Sequence, residues 1–239
     1  MHIFVTGTDT DVGKTLITAG LAAVMQSLGY KAGVYKPVQS GAEEKNGFLV
    51  SPDLAFVKKM DFYVETFCSY LLKEPAAPYI AAEIEKKEID FELIQKDYQN
   101  IKEKCEMVLV EGAGGLMVPV APNKVMGDIA KFLDIPVLIV ARPNLGTVNH
   151  TILTINQAKS MGLDVAGVVI NQYPLGTKNA AIKTAPRLIE EYTDASILGV
   201  VPYMHFFDAT KPGEIINTFL NSIDLEKIFR IKIPKLNMD

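Results

Sequence analysis

The stretch from residue 7 to residue 15 reads Gly7-Thr8-Asp9-Thr10-Asp11-Val12-Gly13-Lys14-Thr15. It follows a short apolar run at residues 2–6, which predicts a strand, and it leads into residues 14–28, whose apolar positions recur at helical spacing. A glycine-rich turn that ends in Gly-Lys-Thr between a strand and a helix is the pattern of a phosphate-binding loop. We therefore expect this turn to bind phosphate groups at the edge of an α/β sheet.

The chemistry of such a loop follows from its residue types. Successive backbone N–H groups surround the phosphates, and the helix N-terminus adds positive potential. Gly13 lets the backbone approach a phosphate oxygen, Lys14 is expected to reach the β- and γ-phosphates, and Thr15 is expected to ligate Mg²⁺. Five residues separate Gly7 from Gly13, where the usual loop has four, so this loop is a variant. The alternative is a strand–helix turn that contains Gly-Lys-Thr by chance.

Apolar runs and helical stretches alternate along the rest of the chain. Further strands are predicted at residues 31–35, 107–110, 136–141, 165–170 and 197–201. Further helices are predicted at residues 91–104, 148–161 and 213–223. Because the strands are continuous apolar runs, they are typical of a parallel sheet that is covered on both faces. We expect one α/β domain, a doubly wound and mostly parallel sheet with helices on both faces, of the P-loop NTPase type.

Two segments depart from this alternation. Residues 41–59 are more polar, and they predict a mobile loop that leads into a helix from Pro52. Residues from about 226 to 239 include Pro234 and predict an irregular tail of the single domain, which we expect to span residues 1–239.

Composition limits the classes of partner. The formal net charge is −4 and no basic cluster occurs, which argues against nucleic acid as the main partner. No apolar run approaches the roughly 20 residues that span a bilayer, so we expect no membrane insertion. The first predicted strand begins almost at Met1 and leaves no room for a targeting segment, which favours a cytoplasmic protein. Cys68 and Cys105 are far apart and are expected to be reduced thiols.

Two charged residues follow apolar strands at the edge where the phosphate loop is expected. Glu111 follows the strand at residues 107–110 and precedes Gly112-Ala113-Gly114-Gly115, so its carboxylate can hold Mg²⁺ while the glycines offer backbone donors. Lys36 follows the strand at residues 31–35, and its ammonium can neutralise charge on a transferred phosphoryl group. The alternatives are an acidic loop residue beside a flexible turn and a solvated lysine at a strand end.

Four motifs occur in a fixed order along the chain. They are Gly7-Thr8-Asp9-Thr10-x-Val12-Gly13-Lys14-Thr15, Lys36-Pro37-x-x-Ser40-Gly41, Glu111-Gly112-Ala113-Gly114-Gly115 and Asn144-Leu145-Gly146-Thr147-x-Asn149-His150. Together they resemble the dethiobiotin synthetases, ATP-dependent enzymes that close the ureido ring in biotin biosynthesis. The resemblance extends from residue 1 to about residue 204. It implies a reaction of 7,8-diaminononanoate, CO₂ and ATP through a carbamate and a carbamic–phosphoric anhydride.

The same resemblance implies a role for each matching residue. Lys36 and Lys14 are the catalytic residues, and Thr15, Asp53 and Glu111 are the Mg²⁺ ligands. The substrate residues are Thr10, Ser40, Gly146, Val148 and Asn149. The nucleotide residues are Asp11, Val12, Gly13, Lys14, Thr15, Leu16, Asp53, Glu111, Gly112, Ala113, Gly114, Asn171, Pro202, Tyr203 and Met204.

Two of these implied roles have an alternative, and a third implies an assembly. Asp53 lies at a predicted helix start, where an acid is also favoured by the helix dipole alone. Asn171 follows the strand at residues 165–170, and its amide can pair with adenine or simply form a turn. The helix start near Asn149 binds the substrate carboxylate of the partner subunit in the family, which implies a homodimer with shared sites. The sequence departs from the family at Ala77-Pro78-Tyr79, where Ser-Pro-His is usual.

Three other functions compete with this interpretation. Partitioning and cell-division switch ATPases share the sheet order, but they carry an extra lysine where this chain has Asp9, and they often end in a basic amphipathic helix. Cobyrinate amidation enzymes carry a glutaminase domain with a nucleophilic cysteine, and neither Cys68 nor Cys105 has a suitable setting. A nucleotide-binding module without chemistry leaves Lys36 and the glycines after Glu111 unexplained.

Overall fold

The computed structural model describes residues 1–204 and 211–233. Its strands are β1 His2–Gly7, β2 Ala32–Gln39, β3 Glu43–Lys45, β4 Phe48–Val50, β5 Glu65–Leu71, β6 Met107–Gly115, β7 Pro119–Ala121, β8 Lys124–Val125, β9 Val137–Ala141, β10 Val165–Tyr173 and β11 Ile197–Pro202. Its helices are α1 Lys14–Ser27, α2 Pro52–Met60, α3 Pro78–Ile84, α4 Phe91–Lys102, α5 Met126–Phe132, α6 Thr147–Ser160, α7 Ala180–Tyr192, α8 Pro212–Ser222 and α9 Leu225–Phe229. No helix among the described residues is long and apolar enough to cross a bilayer.

A seven-stranded sheet organises the molecule in the order β11-β10-β9-β1-β6-β2-β5, and every neighbouring pair is parallel. Alternate residues of β1 face opposite sides: Phe4 joins the apolar cluster under α4, α5 and α6, whereas Val5 joins the cluster under α1, α2 and α8. Both faces of the sheet are therefore covered, which confirms the predicted doubly wound α/β class.

Three strands extend beyond their predicted ends and carry site residues inside them. β2 continues to Gln39, so Lys36 lies within the strand and not after it, and the same holds for Glu111 in β6 and Asn171 in β10. Beyond Tyr35 strand β2 no longer pairs with β6 and pairs only with β5. Pro37 is tolerated there because it can face the side that lacks a ladder.

The structure partly corrects the two segments that were predicted to be irregular, residues 41–59 and the tail from about residue 226. Residues 43–50 form the β3–β4 hairpin, turning at Asn46 and Gly47, which both have positive φ, as a two-residue hairpin turn requires. The tail begins with helix α9, because Leu225, Ile228 and Phe229 are apolar at helical spacing and bury against the sheet. Residues 234–239, where the rest of the predicted tail falls, lie outside the described residues.

Gly20 permits the close packing of α1 against α8. A Cβ atom at Gly20 would lie 2.3 Å from Cε1 of Phe219, whose side chain is fully buried. We expect Gly20→Ala to lower the free energy of unfolding by about 1–3 kcal/mol, since overpacking displaces the ring or the helix. Urea unfolding measures this change. Gly213→Ala is the matched control, because no atom lies within 4 Å of a Cβ there; an equal loss in both variants would contradict the packing argument.

Candidate active site

A cleft of 790 Å³ opens at the carboxyl edge of the sheet, where β2 and β6 separate after their last pair, Tyr35 and Val110. The separation leaves Lys36 of β2 and Glu111 of β6 facing each other across the gap. The cleft is lined by Thr10, Asp11, Gly13, Lys14, Thr15, Lys36, Gln39, Ser40, Asp53, Pro75, Ala76, Ala77, Pro78, Glu111, Ala113, Gly114 and Val118. Sequence segments that are far apart in the chain thus meet in one space.

Lys36 is the centre of a buried charge cluster. Its Nζ atom lies 2.5 Å from Oδ2 of Asp53 and 2.8 Å from Oε1 of Glu111, and it donates to the carbonyl oxygen of Gly112 at 3.2 Å. The Lys36 side chain is 3% exposed and that of Glu111 is 1% exposed. Removing one partner from such a cluster leaves an uncompensated buried charge. The three side chains therefore stabilise one another in this arrangement.

Burial and ion pairing shift the pKa values of this cluster in different directions. Burial alone lowers the pKa of Lys36, but the carboxylates of Glu111 and Asp53 outweigh it and raise that pKa to about 12. Burial raises the pKa of Glu111 above its usual range. Burial opposes ionisation of Asp53 as well, yet the ammonium of Lys36 holds the net pKa of Asp53 below its usual range. Lys36 is therefore a permanent cation in the cleft at neutral pH.

The oxygen atoms around Lys36 suit a magnesium ion. Thr15 donates its hydroxyl to Oε1 of Glu111 at 2.9 Å, while Oε2 of Glu111 is buried and receives no hydrogen bond from any described residue. Carboxylate and hydroxyl oxygens are the donors that Mg²⁺ prefers, and it usually takes one or two carboxylates with phosphates and water. No group of three His, Cys, Asp or Glu side chains forms a metal cage in the described chain. The site therefore fits Mg²⁺ held jointly with a phosphate ligand.

The phosphate loop closes one side of the cleft. Gly13 precedes α1 in the left-handed conformation at φ 86°, and a Cβ there would lie 2.1 Å from Nδ2 of Asn171, so only glycine fits. Asp11 also has positive φ, at 55°. Lys14 is buried and donates its Nζ to the carbonyl oxygen of Asp9 at 3.2 Å. Burial, with the nearby Lys36 ammonium, lowers the pKa of Lys14.

The residues expected to hold the nucleotide base lie beyond the phosphate loop. Asn171 is fully buried and donates its Nδ2 to the carbonyl oxygen of Val12 at 3.0 Å, while its Oδ1 has no hydrogen-bond partner among the described residues. The backbone N–H of Tyr203 donates to the carbonyl oxygen of Tyr173, which holds residues 202–204 beside β10. In the described chain the lining of the cleft includes neither Asn171 nor Pro202, Tyr203 and Met204.

The residues expected to hold the acceptor substrate fall into two groups. Thr10 and Ser40 line the cleft, and the hydroxyl of Ser40 is buried without a described hydrogen-bond partner. Gly146, at φ 95°, precedes α6, and no side chain caps the first N–H groups of that helix. The described lining of the cleft does not include Gly146, Val148 or Asn149.

Sequence reasoning missed a buried hydrogen-bond chain beside Ser40. Ser51 caps α2 by accepting from the N–H of Leu54 at 3.1 Å, and it donates its hydroxyl to Oε1 of Gln39 at 2.6 Å. Gln39 in turn donates to the carbonyl oxygen of Ser40 at 2.8 Å. This chain fixes the start of α2, which carries Asp53, against the end of β2. Ser51-Pro52 marked the helix start, but no local signal linked it to Gln39.

Comparison with known proteins gives consistent matches over most of the chain. The AAA domain family matches residues 1–211. The ATP-dependent dethiobiotin synthetase BioD of Bacillus licheniformis is 40% identical over 228 residues, which are 94% of each chain. The protein of the same name from Anoxybacillus flavithermus is 39% identical over 206 residues, which are 85% of this chain and 92% of that relative. The one from Thermodesulfovibrio yellowstonii is 33% identical over 238 residues, 95% of this chain and 98% of the relative.

Solved structures resemble the overall fold at much lower sequence identity. The MinC:MinD cell division protein complex of Aquifex aeolicus superposes with a TM-score of 0.59 at 16% identity, over 98% of this chain and 97% of that chain. The septum site-determining protein MinD complexed with Mg-ADP from Pyrococcus horikoshii gives a TM-score of 0.57 at 15% identity, over 91% of this chain and 85% of that chain. At these identities the likeness shows the fold alone.

Proposed function

The chain belongs to the family of ATP-dependent dethiobiotin synthetases, and from this membership we propose that its cleft joins CO₂ to 7,8-diaminononanoate at the expense of ATP. The protein is an ATP-dependent ligase that makes dethiobiotin in biotin biosynthesis. We propose which compounds it accepts, which metal it uses and which residues form its site. The observation that carries the proposal is the buried Lys36, which Asp53 and Glu111 hold beside the phosphate loop.

The reaction proceeds in three steps. One amine of the diamine forms a C–N bond to CO₂ and loses a proton, which gives a carbamate. A carbamate oxygen then attacks the γ-phosphorus, the bond to the ADP oxygen breaks, and a carbamic–phosphoric anhydride forms. The second amine attacks the carbonyl carbon and loses a proton, the C–O bond to the phosphoryl group breaks, and phosphate leaves as the ring closes.

The residues of the cleft suit charge stabilisation more than acid–base chemistry. Phosphoryl transfer depends mainly on positioning and on groups that stabilise charge in the transition state. Lys14 and Lys36 both line the cleft, and we assign their cations to the transferred phosphoryl group and the carbamate. The hydroxyls of Thr10 and Ser40 hydrogen-bond the diamine or its carbamate. Asp11 to Leu16 and Glu111 to Gly114 surround the phosphates, and Asn171 with Pro202, Tyr203 and Met204 holds the base.

Thr15, Asp53 and Glu111 are the proposed ligands of Mg²⁺. Bound there, the ion neutralises phosphate charge and orients the triphosphate. A bound γ-phosphate would offer the Lys36 ammonium a third anionic partner beside Asp53 and Glu111.

We expect Glu111→Gln to raise the Mg²⁺ concentration for half-maximal activity by at least about tenfold, because the change removes one anionic ligand and weakens the setting of Thr15. Titration of activity with Mg²⁺ measures the shift, and calorimetry of ATP binding with and without Mg²⁺ measures it independently of turnover. Glu190→Gln is the control, since that carboxylate accepts from the N–H of Ile197, away from the cleft. An unchanged Mg²⁺ requirement would remove Glu111 from the ligand set.

The start of α6 supports a shared site in a homodimer. Gly146, Val148 and Asn149 precede or begin α6, where uncapped N–H groups attract an anion, yet the described lining of the chain's own cleft does not include them. We propose that they bind the substrate carboxylate of the partner subunit. Light scattering tests this arrangement: a monomer with full activity would contradict it. The proposal also includes a single domain over residues 1–239 and a cytoplasmic enzyme.

The alternative function, a switch ATPase, is supported only by the similarity of the fold to that of the cell-division proteins. The position where such proteins carry an extra lysine is Asp9, whose carboxylate bonds to Arg142.

The substrate assignment is tested by the product of one reaction mixture. The purified protein is incubated with ATP, Mg²⁺, 7,8-diaminononanoate and ¹³C-bicarbonate, and products are identified by mass. We expect dethiobiotin that carries the ¹³C label in its ring. Absence of labelled dethiobiotin, with ATP still cleaved, would show that the acceptor is a different compound.

A further inference from the structure

Asp9 contacts three residues around the site, although none of the roles assigned above falls on it. Its Oδ1 accepts from the backbone N–H of Thr10 at 2.8 Å, and its Oδ2 accepts from Nη2 of Arg142 at 2.7 Å. Its carbonyl oxygen accepts from Nζ of Lys14 at 3.2 Å. One residue of the phosphate loop thus touches a residue assigned to the substrate and a residue assigned to the phosphates. The Thr10 N–H and then Arg142 hold the pKa of Asp9 below its usual range.

Arg142 lies between the phosphate loop and the start of α6. It directly follows β9, which ends at Ala141, and it begins the connection to Gly146 and α6. The backbone of the phosphate loop also meets β9 here, because the N–H of Thr8 donates to the carbonyl oxygen of Val140 at 3.0 Å. The Arg142–Asp9 pair therefore links the phosphate loop to the segment that leads into the start of α6.

The charge of Arg142 has a further effect in an anion site. A carboxylate in a loop that binds a triphosphate repels the ligand unless a cation neutralises it. Arg142 is the cation that bonds to Asp9, and its side chain is 34% exposed, against 46% for Asp9. Such a half-exposed pair contributes little to stability. Through Asp9, the pair is connected to Thr10 and Lys14. We therefore expect it to affect the orientation of these two residues more than the stability of the fold.

We propose that Arg142 is a positioning residue, which acts through Asp9 to hold Thr10 and Lys14 in the orientation that the carbamate and the transferred phosphoryl group require. This inference rests on the proposed function of the cleft. It adds that the connection between β9 and α6 takes part in aligning the phosphate loop. Misalignment of a reacting group lowers the rate of the chemical step more than it lowers ground-state binding.

A double-mutant cycle on the full-length protein tests the inference. The variants are Arg142→Gln, Asp9→Asn and the double variant, with Arg142→Lys as the conservative change. Asp9→Asn keeps an oxygen for the N–H of Thr10 and removes the ion pair. Arg230→Gln is the matched control, because it breaks an exposed pair of similar length, 2.6 Å to Asp164, outside the cleft. For each variant we measure kcat, KM for ATP and the melting temperature.

We expect Arg142→Gln to lower kcat about fivefold, the factor that corresponds to about 1 kcal/mol, while KM for ATP changes by less than about twofold. The double variant should be no slower than the slower single variant, because both changes break one interaction. Arg142→Lys should recover most of the lost rate. The melting temperatures of all the Arg142 and Asp9 variants should equal that of Arg230→Gln.

Three results would overturn the inference. They are a kcat for Arg142→Gln equal to that of Arg230→Gln, losses that multiply in the double variant, and a rate loss that follows a lowered melting temperature. Failure of the proposed function itself would be distinct, since the unaltered protein would then form no dethiobiotin. If Arg142→Gln does not fold, Asp9→Asn breaks the same ion pair from its other side, and its kcat is compared with that of Arg230→Gln.

Discussion

Lys36→Ala is expected to lower kcat by about 10²- to 10³-fold, the loss that follows removal of one group that stabilises transition-state charge. The Nζ atom of Lys36 is the cation that bonds to both Asp53 and Glu111, and no other described residue replaces it there. The change also leaves two carboxylates facing each other, so we expect a lower melting temperature without Mg²⁺ and a partial recovery with it. Single-turnover phosphate release from ATP measures the rate.

Lys73→Ala is the control for this result. Lys73 pairs with Glu44 at 2.7 Å, and its side chain is 60% exposed, so its loss should leave kcat unchanged. A kcat for Lys36→Ala within about tenfold of the unaltered protein would contradict the assigned role, because that loss is below the range for such groups.

Lys14→Ala is expected to abolish turnover and also to weaken ATP binding by about 10- to 100-fold, as loss of a hydrogen bond to a charged group predicts. Lys14 differs from Lys36 in its partner: it donates to the carbonyl oxygen of Asp9, and no carboxylate of the described residues forms an ion pair with it. Its charge is therefore available to the triphosphate in the ground state. Calorimetry with ATP and Mg²⁺ separates the two lysines, since Lys36→Ala should retain most of the affinity. Equal affinity in Lys14→Ala and Lys73→Ala would contradict a phosphate contact.

The sequence predicted the parts of the fold that follow from local pattern. The apolar runs gave the buried strands β1, β6, β9, β10 and β11 within a few residues, and the resemblance to dethiobiotin synthetases is confirmed. Strand β5 was not predicted because it lies at the sheet edge, where residues 65–71 are only half-buried and mix polar with apolar side chains. Helix α7 was not predicted either; it contains Pro186, which disfavours a helix interior.

One local pattern in the sequence does predict the β3–β4 hairpin. Asn46-Gly47 lies between Glu43–Lys45 and Phe48–Val50, and this dipeptide between short strands is a strong hairpin pattern. The polar character of residues 43–45 favoured a loop instead.

Contacts between distant segments could not be predicted from local pattern. Lys36, Asp53 and Glu111 each had a stated reason to lie near the phosphate loop, but their mutual ion pairs depend on β2 and β6 separating after Tyr35 and Val110. The bond between Asp9 and Arg142 joins residues 133 positions apart, and an arginine after a strand has no distinctive local pattern. Such pairs are fixed by strand order, because β1 lies between β6 and β9 in the sheet.

The central claim is that γ-phosphate transfer in this cleft is coupled to ring closure of a diamine. The most direct measurement is phosphate release from ATP and Mg²⁺ by the purified protein, with 7,8-diaminononanoate and bicarbonate added singly and together, while dethiobiotin is counted by mass spectrometry. We predict release only when both compounds are present, with one phosphate for each dethiobiotin formed. Phosphate release that is independent of either compound, or that is unaccompanied by dethiobiotin, would contradict the claim.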